Sequence, residues 1–434
     1  MYKALINKSS AIVILTLATL ISNFVTQFIF VSKVELSILS DQIFLAMSFG
    51  LGIISVFSSS LGVFLIEALA KVDESRVRIS IKLVNYIMLK GILYILPCAI
   101  LLHGMYFFFY VSKEALPDTI NFFQLYPALL IQFLIPIFSY KSAIYSSYFH
   151  SRRKYILVEF SAAFSSILTL IIISYVTKGE NIIILSFILV SKVIIAYMIL
   201  AVYFNKNNKN NKNNKNNKNN KNIDLSYLKK IYKKSRGVVI SSIYYKSDII
   251  IDRVLLSFLA GGILTNYHLI QSIGNGALAV YSRIVSIPLT SSIALIPDGC
   301  VASVQLHLRT FLRKGLLLIS IGSVTVVTLL FVCDFFELEI ISFLKSWSSK
   351  KILITILITY CVMSINQIYS SLLFAISRSD LCIKIGVRAY TVGITLKAIL
   401  FYLFGLDGLL LSLILYQVLV NRMYKYEIFK LGYA

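Results

Sequence analysis

The sequence predicts an all-α integral membrane protein, and its composition and hydropathy are the reasons. Of the 434 residues, 58% are hydrophobic and 14% are charged, whereas soluble domains hold about 45–50% apolar and about 25% charged residues. The mean hydropathy is +0.82. Apolar stretches of about 20 residues, the length of a bilayer span, recur along the whole chain. The alternating ten-residue pattern of outer-membrane strands is absent, so we expect helical spans.

Twelve stretches have the length of a span, six on each side of a polar Asn/Lys segment. They lie at 10–32, 43–69, 81–103, 120–149, 155–176, 181–204, 237–260, 265–297, 314–333, 351–374, 382–404 and 406–424. We therefore predict an N-terminal six-helix lobe at 1–204, a cytoplasmic linker at 205–235 and a C-terminal six-helix lobe at 236–434.

The linker contains a three-residue repeat of Lys-Asn-Asn from Lys206 to Asn222. It has no apolar position that could join a core, so we expect it to be disordered. Its lysines could hold anionic lipid headgroups, although a tolerated connection between two lobes is the favoured explanation.

The basic residues in the connections predict the orientation. If the N-terminus is cytoplasmic, the cytoplasmic segments hold 28 Lys and Arg and the outer segments hold six. An excess of Lys and Arg marks cytoplasmic loops, so both termini should be cytoplasmic. Because most of the basic residues behind the net charge of +23 lie in these connections, their placement follows the rule for membrane orientation. We therefore expect no nucleic-acid partner.

A short internal repeat links the two halves. The tetrapeptide Ile-Tyr-Ser-Ser occurs at 144–147, near the end of the fourth predicted span, and at 368–371, near the end of the tenth. A basic loop follows each copy. Repeats in the same orientation imply a pseudo-two-fold axis along the membrane normal, with a site between the halves near the midplane.

Charged residues at lipid depth are the most informative group in the chain. The cations are Lys90, Lys141, Lys192, Lys246, Arg253, Arg283 and Lys397. The acids are Glu67, Glu159, Asp248 and Asp252. We place Glu67 and Glu159 near cytoplasmic ends, where a carboxylate can reach the interface or cap a helix.

A charge at the centre of a bilayer helix costs about 2.5–3.5 kcal/mol on insertion scales, so these residues should face protein or a water-filled cavity. The surplus is positive, which suits a substrate that carries pyrophosphate. Internal salt bridges are the alternative, since Asp248 and Arg283 lie at comparable depth in neighbouring spans. The first half has no deep acid to neutralise Lys90, Lys141 and Lys192, which favours a functional role for these three.

Neutral polar residues and prolines add weaker indications. The polar residues could line a path or form hydrogen bonds between helices, and the second role is the commoner one. They are Asn23, Gln27, Gln132, Asn366, Gln367 and Gln417. We expect kinks at Pro127, Pro136 and Pro288.

Enzymatic motifs and metal-ligand spacings are absent from the sequence. The four histidines and five cysteines show no ligand pattern, and there is no phosphate-binding loop or nucleophile motif. We therefore expect no enzyme activity, no bound metal and no cofactor, with proton or sodium coupling as the candidate energy source.

Two segments carry a resemblance to a known family. "SDIIIDRVLLSFLAGGILTNYHLIQSI" and "YSRIVSIPLTSSIALIPD" resemble the seventh and eighth spans of Wzx-type flippases, polysaccharide transporters of the multidrug/oligosaccharidyl-lipid/polysaccharide (MOP) exporter superfamily. The resemblance implies a MATE-like fold of twelve spans with a cationic cavity. After the Tyr, "NYHLIQSIGNGALAVYSR" departs from the small residues that are usual in the family.

The resemblance also implies a function in a bacterial inner membrane. Such proteins move undecaprenyl-pyrophosphate-linked oligosaccharide units, as for O-antigen in lipopolysaccharide biosynthesis, from the cytoplasmic to the periplasmic leaflet. Arg283, Arg253 and the first-half lysines would then contact the substrate, and Asp248 and Asp252 would be coupling candidates, with Glu67 as a further acid. Membrane lipids and other polysaccharide-assembly membrane proteins are the expected partners.

Two other functions compete with this one. A multidrug/cation antiporter of the same superfamily should have an acidic rather than a basic surplus. A membrane glycan polymerase or ligase should have one large outer loop, whereas the longest outer connection predicted here has about 17 residues.

Overall fold

A computed structural model describes the chain at 2–34, 39–51, 69, 74–107, 122–152, 154–176, 182–212, 244, 247–293, 296, 300–335, 346–376 and 378–433. Every regular element in these ranges is helical. The described residues divide into two compact units, Met1–Val254 and Leu255–Ala434. The predicted lobe boundary at 205–235 falls mostly outside the described residues and stays a prediction.

The first unit is a bundle of long apolar helices. It contains α1 (Tyr2–Val34), α2 (Leu39–Leu51), α3 (Glu74–Tyr106), α4 (Phe122–Gln132), α5 (Leu134–Ser151), α6 (Tyr155–Tyr175), α7 (Ile182–Lys212) and most of α8 (Asp248–Ser257). Helix α6 packs against α1, and α7 packs against α4, α5 and α6. Serine and threonine hydroxyls on α6 donate to carbonyls three or four residues earlier, which satisfies them at membrane depth.

The second unit is organised around the helix Trp347–Ala375, which contacts the four other α-helices described in that unit. It contains α9 (Ile263–Tyr281), a π-helical turn (Ser282–Ser286), α10 (Ile287–Ile293), α11 (Val301–Phe335), α12 (Trp347–Ala375) and α13 (Ser379–Lys430). Helix α12 contacts α9, α10, α11 and α13. The side-chain hydroxyl of Ser346 caps α12 by accepting a 3.1 Å hydrogen bond from the Ser349 amide.

Three interruptions of the helices have local causes. Pro136 cannot donate to the carbonyl of Gln132, and the helix breaks at Phe133 between α4 and α5. The π-helical turn lies just before Pro288. The helices are thus interrupted at two of the three prolines where kinks are expected, whereas Pro127 lies inside α4 without an interruption. Gly405, with φ of 55° and ψ of −127°, divides α13 into two arms.

The internal repeat extends well beyond its four-letter signature. The Lys154 amide donates to the Phe149 carbonyl at 2.8 Å, and the Arg378 amide donates to the Leu373 carbonyl at 2.8 Å. Lys154 and Arg378 are 224 positions apart, and so are Phe149 and Leu373. The same offset relates the start of α6 to the start of α13, and the start of α7 to the residue after Gly405. Both copies thus form the same sequence of helix, tight reversal and two further helices.

Seven described helices are long and apolar enough to cross a membrane. One of them, Asp380–Lys430, covers two predicted spans because it bends at Gly405. Predicted spans at 43–69 and 237–260 extend into residues outside the described part, so the total of twelve stays a prediction. The expected disorder of the Asn/Lys repeat is wrong for its first part, because α7 continues as a helix to Lys212, and extending an existing helix needs no new nucleus. The rest of the repeat, 213–222, lies outside the described residues, and the expectation stays a prediction there.

Candidate functional site

Lys192 lies in the middle of a span of the first unit. It is ten residues from the start of the span Ile182–Lys206, about 15 Å at 1.5 Å per residue, in a hydrocarbon core about 30 Å thick. Its ammonium donates a 3.1 Å hydrogen bond to the amide oxygen of Asn23 on α1. The partner of this deep cation is therefore a neutral group.

Lys141 lies at a similar depth on α5, ten residues from the end of the span Leu125–Ser151. Its ammonium is 5.9 Å from the ring centroid of Phe138 and 5.6 Å from that of Tyr197 on α7. Both distances are within the range of a cation–π contact. The aromatic rings hold the cation without neutralising it.

Neither lysine contacts a carboxylate anywhere in the described part of the chain. An ion pair would cancel the charge and leave nothing for a ligand, whereas an amide oxygen and aromatic faces leave a full positive charge available. The sequence prediction that the first-half lysines lack acidic partners therefore holds for Lys141 and Lys192.

Arg253 occupies a different environment. It is 4% exposed, and its guanidinium donates to the hydroxyl of Ser48 on α2. Asp41, on the same helix as Ser48, and Asp252 are each also 4% exposed, and both have interaction partners in the chain. These three buried charged residues all belong to the first unit.

Sequence reasoning missed Asp41, Ser48, Tyr197 and Phe138. Asp41 stands just outside the predicted second span, so it was not counted among the deep acids. Tyr197 and Phe138 could not be identified from the sequence. An aromatic residue five positions from Lys192, or three positions from Lys141, is ordinary in an apolar helix.

The remaining predicted site residues divide by exposure. Lys90 is on an exposed face of α3, together with Tyr86, Leu93 and Tyr94. Lys397 is 1% exposed and has a partner in the chain, so it is enclosed in this conformation. Asp248 begins α8, is partly buried and is also partnered.

Three predicted site residues cannot be placed as side chains. Lys246 and Glu67 lie outside the described residues, and only the backbone of Arg283 is described, within the π-helical turn. The predicted pair of Asp248 with Arg283 therefore stays a prediction.

The neutral polar residues mostly join helices. Gln132 donates to the Ser186 carbonyl at 3.2 Å. Asn366 donates to the side-chain oxygen of Gln417 at 3.2 Å and accepts from Asn421 at 2.9 Å. The expected interhelical role is confirmed for these residues. Glu159 is 6% exposed and accepts from Thr16 of α1 at 3.2 Å, so its carboxylate is buried against a neighbouring helix.

No group of three or more His, Cys, Asp or Glu suited to a metal ion occurs among the described residues. The candidate site consists instead of two cations of the first unit, Lys141 and Lys192, which are held by neutral partners. Such a site can bind anions by charge and hydrogen bonding.

Comparison with known proteins is informative for the fold. No family model and no curated protein matches the sequence. Among solved structures, lipid II flippase MurJ in an inward closed conformation has a TM-score of 0.72 at 15% identity, over 96% of this chain and 87% of that one. An inward-facing MATE-family multidrug resistance transporter of the MOP superfamily has a TM-score of 0.70 at 10% identity, over 97% and 99%.

A third match is a MOP-superfamily transporter from Pyrococcus furiosus, whose structure is described as having a binding pocket of reverse polarity. Its TM-score is 0.56 at 12% identity, over 98% of this chain and 96% of that one. These similarities cover nearly the whole chain, so the protein has the all-α membrane fold of MOP-superfamily transporters. The proteins named here are flippases and transporters rather than enzymes.

Proposed function

We propose that the protein is a flippase that moves undecaprenyl-pyrophosphate-linked oligosaccharide units, of O-antigen or a related surface polysaccharide, from the cytoplasmic to the periplasmic leaflet. It would act by alternating access in a bacterial inner membrane, with both termini cytoplasmic. Its resemblance to Wzx-type flippases and its fold, shared with a lipid II flippase, support a lipid-linked substrate.

The observation that carries the proposal is the state of Lys141 and Lys192. Each lies about 15 Å along its span, and among the described residues each is held by neutral groups. A protein that needed these cations only for stability would do as well with apolar residues there, since a central charge costs about 2.5–3.5 kcal/mol on insertion. A diphosphate carrying negative charge would offset that cost when it binds.

In this proposal two of the deep cations attract the substrate, and the other charged residues are candidates for further roles. Lys141 and Lys192 attract the pyrophosphate into the membrane interior, and Asn23 and the rings of Tyr197 and Phe138 keep their side chains in place. Lys90, Lys246, Arg253, Arg283 and Lys397 are the further candidates for substrate contact. Asp248, Asp252 and Glu67 are the candidates for proton or sodium coupling.

The experiment reconstitutes the purified chain in liposomes with a polyprenyl-pyrophosphate-linked oligosaccharide and measures how much substrate reaches the opposite leaflet. Wild type should move it, and Lys141→Gln and Lys192→Gln should move it at least tenfold more slowly. Lys430→Gln, which removes an exposed cation at the end of α13, is the matched control and should keep the wild-type rate. Equal rates in all three variants would contradict the proposal.

A multidrug or cation antiporter is the second candidate, and buried acids favour it. Asp41 and Asp252 are each 4% exposed in the first unit, and the fold matches a MATE-family transporter closely. An antiporter should extrude an organic cation such as ethidium when a proton or sodium gradient is applied. Gradient-driven ethidium efflux without movement of the lipid-linked sugar would favour this candidate.

A further inference from the structure

A cavity of about 330 Å³ opens between the two arms of α13 in the second unit. Three cations line it, Lys384 and Arg388 from the first arm and Arg422 from the second, together with one carboxylate, Glu427. Apolar side chains that include Leu381 and Met423 complete the wall. The cavity thus combines a net positive charge with an apolar side.

The two arginines are not neutralised by other residues. Arg388 and Arg422 are exposed, and neither forms an ion pair with any residue of the described chain. Lys384 is 4.0 Å from Asp380, which also accepts from Arg378 at 3.4 Å. Two guanidinium groups that share a cavity and lack acidic partners are well suited to bind phosphate oxygens.

The first copy of the internal repeat contains the equivalent surface, and the two surfaces can be compared. At 224 positions earlier, the counterparts of Lys384, Arg388 and Arg422 are Phe160, Phe164 and Met198. All three are exposed, at 43%, 46% and 56%, and the rings of Phe160 and Phe164 stack at 5.9 Å. The same helical surface therefore suits lipid tails in the first copy and carries three cations in the second.

The cavity lies toward one end of both arms, where lipid headgroups are expected. Arg388 is six residues from the start of the predicted span 382–404 and Arg422 is two residues from the end of the predicted span 406–424, about 9 Å and about 3 Å along the helix, and long side chains extend from there toward the interface. Tyr426, which also lines the cavity, and Phe429 are 65% and 74% exposed. Exposed aromatic residues are typical of the membrane–water boundary.

We infer that this cavity binds the headgroup of an anionic glycerophospholipid from the leaflet on the side of the C-terminus. Arg388, Arg422 and Lys384 hold the phosphate, and the apolar wall around Leu381 and Met423 contacts the first part of an acyl chain. The carboxylate of Glu427 lowers the net positive charge of the cavity. This favours a monoester or diester phosphate over a more highly charged group. All residues of this lipid site belong to the second unit, and the inference does not depend on the proposed flippase function.

The test measures lipid preference in the purified full chain. Detergent-solubilised protein is titrated with phosphatidylglycerol or with phosphatidylcholine of the same tails, and bound lipid is counted by native mass spectrometry. Each cation near an anionic membrane surface contributes about a fivefold preference. The triple variant Lys384→Gln, Arg388→Gln, Arg422→Gln should therefore lose on the order of a hundredfold in preference for phosphatidylglycerol.

The matched control removes three exposed cations that do not line the cavity, in Lys154→Gln, Lys425→Gln, Lys430→Gln. It should keep the wild-type preference. Because all substituted side chains are exposed, both variants should elute as wild type in size-exclusion chromatography, and the single variants Arg388→Gln and Arg422→Gln repeat the test with a smaller change.

Three results would overturn the inference. The first is an equal loss of preference in the control, which would indicate a diffuse effect of charge. The second is displacement of the lipid by glycerol 3-phosphate at similar concentration, which would indicate a site for a soluble phosphate. The third is at least tenfold tighter binding of geranylgeranyl pyrophosphate through the same residues, which would assign the cavity to a polyprenyl substrate.

Discussion

The contact between Lys192 and Asn23 allows a quantitative test of how a charge is held at the centre of this protein. Lys192→Met removes a central charge, which relieves an insertion cost of about 2.5–3.5 kcal/mol. It also removes a hydrogen bond from a charged group, worth about 1.5–3 kcal/mol. The two terms nearly cancel, so the stability of the variant should stay within about 1 kcal/mol of wild type.

Asn23→Leu should behave differently, because it leaves the ammonium in place without its 3.1 Å acceptor. We expect a loss of about 1–2 kcal/mol, at the upper end of what hydrogen bonds contribute within membranes. At about 2–4 °C for each kcal/mol in a domain of 150–250 residues, this is a fall of several degrees in the unfolding midpoint. The double variant should recover most of that fall.

The assay is a double-mutant cycle on the purified protein in detergent, with the unfolding midpoint followed by far-UV circular dichroism. Ser174→Ala, on the exposed side of α6, controls for nonspecific effects. A coupling below about 0.5 kcal/mol would refute the reasoning, since typical neutral contacts in membranes already reach about 0.6. A large loss of stability in Lys192→Met would show that the lysine is structural and would weaken the functional proposal.

Three further predictions follow from individual contacts. Tyr197→Leu removes one of the two rings near Lys141 and should reduce lipid-linked substrate movement in liposomes, whereas Tyr197→Phe should keep most of it; equal activity of both would contradict the cation–π role. Gly393→Ala places a methyl group 2.6 Å from the ring of Tyr416 and should lower the stability by about 1–3 kcal/mol. Gly322→Ala, which has open space around it, is the control. It should be neutral or stabilising in thermal unfolding. Lys351→Ala breaks a 2.8 Å salt bridge to Asp407 that is largely exposed, so it should change the unfolding free energy by at most about 1 kcal/mol, and a larger change would show that the bridge is shielded from solvent.

The class of protein was accessible from the sequence because the bilayer imposes a simple rule on it. A helix that spans the membrane must be about 20 residues long and nearly free of charge, so hydropathy alone predicts the helical class and most span positions. The interruptions at Pro136 and Pro288 were predictable from the local sequence, since proline lacks the amide that the helix needs. The repeated tetrapeptide marks the correspondence of α5–α7 with α12–α13, although the extent of this repeat became visible only in the shared helix reversals.

The sequence also identified the deep charges but not their partners. Asn23 and Lys192 are 169 positions apart, and Arg253 and Ser48 are 205 apart, so only packing of distant helices brings them together. Hydropathy could not distinguish Lys141, held by aromatic faces, from Lys397, which is fully enclosed, because both lie in equally apolar stretches. Composition and span length determined that this is a helical membrane protein, since these depend on local transfer energies. The tertiary structure alone decided which of its charges remain available to a ligand, since that depends on which neighbour each side chain meets.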